Sequence, residues 1–116
     1  MNKKILKLLF ITLTLTANAL PAARQSGYQT DLHFAAMNNN PDNIAQLLAS
    51  RLVNVNAQDR QGWTALHIAA ANGYGECVFV LVQMGANRFL TTNKGDTAAD
   101  LAEKKGHKKM AQFLRS

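Results

Sequence analysis

Residue types able to do chemistry are sparse in this chain. It carries three histidines (His33, His67 and His107), one cysteine (Cys77) and seven acidic residues scattered along 116 positions. A helical zinc hydrolase needs H-E-x-x-H, and a structural zinc site needs clustered cysteines and histidines; neither spacing occurs. No G-x-S-x-G elbow is present. Gly73-Tyr74-Gly75 follows a helical pattern rather than a strand, and it lacks the third glycine and the lysine of a phosphate loop. It reads as a turn between helices. The acidic residues form no obvious pair for acid–base work. Cys77 sits on an apolar stripe and is expected to be a small buried hydrophobe. A lone cysteine cannot close an intramolecular disulfide, and a bond between chains is the subordinate alternative. No catalytic, cofactor-binding or metal-ligating residue is therefore assigned, no cofactor is expected, and the chain is not read as an enzyme.

The elements that would position any site are clearest between residues 59 and 91. Residues 59–63 make a polar turn, with Gly62 supplying backbone freedom. Thr64 is an N-cap for a short helix built on Ala65, Leu66, Ile68, Ala69 and Ala70, and Gly73 stops it. Cys77, Val78, Val80, Leu81 and Met84 recur at helical spacing in a second helix that Gly85 stops. Each helix has about ten residues, too short to persist alone in water. The chain supplies packing partners by repetition. Gly62, Thr64, Gly73 and Leu81 return 33 residues later as Gly95, Thr97, Gly106 and Leu114. Thr30, Leu32, His33, Ala35, Ala36 and Leu47 precede their counterparts by 34, whereas Asn54 precedes Asn87 by 33. Repeat one thus holds one extra residue near positions 50–52. A period of this length with a helix pair per unit is the signature of a solenoid.

The segment from Gly62 to Ala70, G-W-T-A-L-H-I-A-A, resembles the G-x-T-P-L-H-x-A-A core of the ankyrin repeat, and Met84-Gly85-Ala86-Asn87 is similar to its exit turn. The resemblance implies an all-α solenoid of about three helix-turn-helix repeats with short hairpin-like finger turns. The repeats would occupy residues 30–58, 59–91 and 92–116. It further implies that His33 and His67 tie turn to helix by hydrogen bonds. The family proline is Asp31, Ala65 and Ala98 here, and the third repeat has Asp100 at the histidine position and Ala99 at the leucine position.

In repeat one, Asn38-Asn39-Asn40 makes the inter-helix turn. Asn40 is an N-cap, Pro41 suits the first helical position, and Asp42 complements the helix dipole. Ile44, Leu47 and Leu48 form the apolar stripe. In repeat three, Ala98, Ala99, Leu101 and Ala102 pack inward, and Met110, Phe113 and Leu114 close the core as an outer wall.

Residues 1–19 read as a cleavable signal peptide: Lys3 and Lys4, the short apolar run LLFITLTL, then Ala17-Asn18-Ala19 as cleavage site, with Ala22-Ala23 as a later alternative. The run is too short for a bilayer of about 30 Å. Residues 20–29 form a polar lead-in. A periplasmic or secreted location follows. The formal charge is +6, and loss of Lys3, Lys4 and Lys7 leaves 10 basic against 7 acidic residues, or +3. That is too modest to argue for nucleic acid.

What remains is a surface. By resemblance, the contact positions are Arg60, Gln61 and Trp63 in the middle finger; Ala71 and Asn72 at the end of its first helix; Met37 and Asn38 one repeat earlier; and Asn93, Lys94, Asp96, Lys104 and Lys105 in repeat three. Trp63 beside Arg60 has the composition of an interface hot spot; the alternative is a ring folded over the neighbouring finger. The expected function is a non-enzymatic, monomeric protein-binding module exported from the cytoplasm, its partner a protein and not a nucleic acid. The alternative is an accessory factor for another exported protein, or a surface anchor acting through the basic end at Lys104, Lys105, Lys108, Lys109 and Arg115. Contact with an anionic membrane is subordinate.

Overall fold

A computed structural model of the chain describes residues 30–116. The expected signal peptide, with its expected cleavage site, and the expected lead-in at residues 20–29 lie outside the described residues. Within them are six helices in three pairs: α1 (Asp31–Met37) with α2 (Pro41–Ala49), α3 (Ala65–Asn72) with α4 (Gly75–Gln83), and α5 (Ala98–Lys104) with α6 (Lys108–Arg115). No extended strand forms among the described residues. The all-α repeat fold expected from the sequence is the one observed.

Each first helix starts the same way. Thr30, Thr64 and Thr97 hold extended backbone, and each hydroxyl accepts from the backbone N–H three residues on. The third helical residue returns the bond: His33, His67 and Asp100 each accept from the threonine N–H. These reciprocal caps satisfy donors that a seven- or eight-residue helix cannot satisfy internally. Each first helix then ends in a left-handed residue, Asn39 (φ 53°), Gly73 (φ 74°) and Gly106 (φ 88°). Asparagine is the non-glycine residue that best tolerates this conformation.

The second helices start less uniformly. Asn40 caps α2 through its side chain, with Pro41 and Asp42 following as expected. Neither Tyr74 nor His107 gives α4 or α6 a side-chain cap. After α2 and α4 the chain again turns left-handed, at Arg51 (φ 60°) and Gly85 (φ 96°). Asn54 and Asn87 then make matching turns, each side chain accepting from the N–H two residues on at 2.9 Å. Arg51 is 34 positions before Gly85 and Asn54 is 33 before Asn87, so the extra residue of repeat one falls at Leu52 or Val53. Leu52 is 69% exposed.

The first helices stack in order, α1 on α3 on α5, and α2 packs on α4. Alanines at positions 35, 36, 69, 70, 99 and 102 are buried and let these backbones approach closely. Leu32, Leu66, Leu81, Leu114, Ile44 and Val78 fill the space between the two helix rows. The two ends differ. Asp31 and Phe34 are exposed at positions where Ala65, Ala98, Ile68 and Leu101 are buried, so that face of α1 points away from the stack. At the other end Glu103 stands where Ala36 and Ala70 are buried, and Arg115 stands where Leu48 is buried. Arg115 bonds Glu103 and Asp100, both at 3.0 Å, giving repeat three a polar outer end.

Two core expectations are corrected. Phe113 does not close the core but is 42% exposed. Ala111 and Leu114, three residues apart on one helical face, are buried instead, and Phe113 falls off that face. Met84 is also outside the core: α4 ends at Gln83, and Met84 caps it while 42% exposed. Cys77 is fully buried, as expected.

Candidate functional site

The two finger turns are held by one side chain each. In the middle finger the Asp59 carboxylate accepts from the N–H groups of Gln61 and Trp63, both at 2.9 Å. The Asp59 N–H donates to the Trp63 carbonyl, closing the turn. In the third finger Thr92 takes that place, its hydroxyl accepting from Lys94 at 3.2 Å and Asp96 at 3.3 Å. Gly62 is required twice over. Its φ is +81°, and a Cβ there would lie 2.8 Å from both Asn93 N and Oδ1.

That close approach is where the fingers join. Asn93 donates its backbone N–H to the Gln61 carbonyl at 2.9 Å and its Nδ2 to the Arg60 carbonyl at 2.7 Å. Gln58 Nε2 reaches the carbonyls of Gly62 at 2.9 Å and Thr91 at 3.1 Å. Behind them, Asn87 N–H donates to Asn56 Oδ1 at 2.7 Å. Fingers two and three are thus one hydrogen-bonded platform.

The histidines fasten the platform to the helices. Nδ1 of His33 accepts from Thr30 N–H, and its Nε2 donates to the Trp63 carbonyl at 2.8 Å. Nδ1 of His67 accepts from Thr64 N–H at 2.9 Å, and its Nε2 faces the carbonyls of Leu90 at 3.0 Å and Asp96 at 3.2 Å. An Nδ1 that accepts a main-chain proton is unprotonated, so each ring sits as the neutral Nε2–H tautomer. Burial pushes the His67 pKa below its usual 6.5, against the opposing pull of those carbonyls and of Asp59 and Asp96. Neither ring is offered to solvent. Among the described residues, no group of three or more His, Cys, Asp or Glu could hold a metal ion, and no helix is long and apolar enough to cross a membrane.

The structure sorts the candidate contact residues. Arg60, Gln61, Asn93 and Lys94 stand exposed on the joined platform. Trp63 is half-buried at the base of its finger rather than at the tip. Its ring packs against the core, tilted 49° to the His67 ring at 6.3 Å between centroids. Asp96 is half-buried and paired with Lys104 at 2.8 Å, and Lys105 is exposed beside it in sequence. Ala71 is buried and offers little surface. Asn72 is exposed, its Nδ2 donating to the Ile68 carbonyl at 2.9 Å. Met37 and Asn38 are exposed at the end of α1, outside the finger network. Gln58 was missed by sequence reasoning although it bridges both fingers. Its one signal was its place 33 positions before Thr91, which shows nothing about where an amide points.

Comparison with known proteins gives a consistent picture. The family model described as "Ankyrin repeats (3 copies)" matches residues 32–116. The rice (Oryza sativa subsp. japonica) protein named "Probable E3 ubiquitin-protein ligase XBOS34" is 41% identical over 81 residues, covering 68% of this chain and 16% of that protein. Human "Protein phosphatase 1 regulatory subunit 27" is 35% identical over 72 residues, covering 62% of this chain and 46% of that protein. Human "Espin-like protein" is 48% identical over 58 residues, covering 50% of this chain and 6% of that protein. The chain spans less than half of each of these relatives.

Proposed function

This chain belongs to the ankyrin-repeat family, and from that premise we propose that it is an exported, non-enzymatic module that binds one protein partner across fingers two and three. One observation carries the reading: Asn93 and Gln58 lock the two finger backbones together and leave Arg60, Gln61 and Lys94 facing solvent. Such a platform loses little conformational freedom when a partner settles on it. Arg60 and Lys94 bias it toward an acidic or polar rim on the partner. Trp63 contributes the exposed part of its ring from the base of the finger. The repeats shared with a protein named as a phosphatase regulatory subunit support a protein as the partner. Export rests on the sequence of residues 1–19.

The test is site-specific photo-crosslinking in cells making the full chain. A crosslinking residue at Gln61 or Lys94 should capture one and the same partner, and the same residue at Phe79, exposed on α4, should not. Equal capture from all three positions, or capture from Phe79 alone, would remove the finger platform as the binding surface.

A further inference from the structure

Two departures from repeat register meet at one place away from the fingers. At the C-terminal end of α2 the chain turns left-handed on Arg51, where repeat two uses Gly85. The extra residue of repeat one follows at once, and Leu52 is 69% exposed. An arginine held at φ 60° costs conformational energy that a glycine would not, and such strain is characteristic of sites that use it. Arg51 and Gly85 line an open depression of about 610 Å³ between the ends of α2 and α4. Its apolar wall is Leu48, Val53, Val55 and Met84, and Arg51 is its one charged lining residue. No candidate contact residue of the finger platform lines it, and Gly85 leaves open space on its side. Arg51 has no ion pair among the described residues, so its guanidinium remains available for a carboxylate.

We propose that this depression is a second binding site, taking a peptide segment that presents an aliphatic side chain next to a carboxylate. The aliphatic group would lie between Val53, Val55 and Met84, with the carboxylate on Arg51. The charge of the lining selects the occupant: a purely apolar segment leaves Arg51 uncompensated, and a basic one is repelled. The site does not depend on the finger platform, and either can stand without the other.

The experiment titrates the ¹⁵N-labelled full chain with N-acetyl-leucine, which carries both groups, and with N-acetyl-leucine amide, which lacks the carboxylate. N-acetyl-leucine should shift the amide signals of Arg51, Val53, Val55 and Met84, and its amide should bind about fivefold more weakly, the upper range for an exposed ion pair. Arg51→Gln should erase that difference. Arg51→Gly keeps and relaxes the left-handed turn, so it should fold and melt at or above the parent temperature while losing the same preference. Shifts scattered over the finger residues, equal binding of acid and amide, or an undiminished preference in a folded Arg51→Gly protein would each overturn the proposal.

Discussion

Nε2 of His33 lies 2.8 Å from the main-chain oxygen of Trp63, thirty residues further along the chain and in the next repeat. His67 repeats the relationship with Asp96. Each imidazole therefore does two jobs: it caps its own helix through Nδ1, and it holds the following finger through Nε2. Asp100, at the same position of repeat three, keeps only the cap and turns to Arg115 instead. The finger platform exists because the first two repeats each reach forward.

That arrangement predicts an acid-sensitive fold. The folded-state pKa of His67 is depressed by burial, so between it and the unfolded value near 6.5 the unfolded chain binds more protons. The stability this provides is fully present above pH 6.5 and is lost as pH falls through the folded value. Thermal midpoints should drop from pH 7.5 to 5, and a folded His67→Asn protein should show a flatter profile over the same range. Parallel profiles for the two proteins would show that His67 is not the group responsible.

Leu66 is 1% exposed between the two helix rows. Leu66→Ala should destabilise by about 2–5 kcal/mol, as cavity-forming leucine truncations do. Chemical denaturation would measure it, and in so small a stack the loss could abolish folding. A variant that unfolds like the parent would contradict the packing described above.

Trp63→Ala separates local packing from recognition. The ring rests against the core and near His67, so truncation should lower stability by about 1–3 kcal/mol. Measured where the protein is still folded, partner affinity should fall by about 1 kcal/mol or more if the exposed part of the ring is used. A binding loss that only tracks the unfolded fraction would restrict Trp63 to a structural role.

Arg51→Gly should raise stability by about 1 kcal/mol, because glycine accepts positive φ without the steric cost an arginine bears. Denaturant midpoints would show it. A destabilised variant would mean that the arginine side chain stabilises the fold by more than its backbone costs.

Export is tested by intact-mass measurement on protein from its native source. The mature chain should begin at Leu20, or at Arg24 if the later site is used. Retention of residues 1–19 would remove the export reading and leave the finger platform untouched.

The sequence by itself determined the repeat, its period, the starts of the first helices and of α2, and the glycine stops. Threonine caps, glycine stops and the 33-residue return are local signals, legible because each repeat must solve the same backbone problem. Thr64, Gly73, Asn40 and Pro41 act where local chemistry placed them, and the burial of Leu66, Val78 and Cys77 follows from helical period. Tertiary structure alone decided what crosses between repeats. Phe113 and Met84 look like core residues by type but are not buried: burial in α6 is set by which side meets α5, and Met84 lies beyond the last residue of α4. Trp63 looks like an exposed tip residue but lies at the base of its finger, because the His33 bond to its carbonyl draws that backbone toward the helices. Gln58 and Asn93 are ordinary amides in sequence. They become the link between fingers only where stacking brings the carbonyls of Arg60, Gln61 and Thr91 within hydrogen-bond reach. Contacts between residues 30 or more apart depend on the angle at which one repeat settles on the next, and no local pattern encodes that angle.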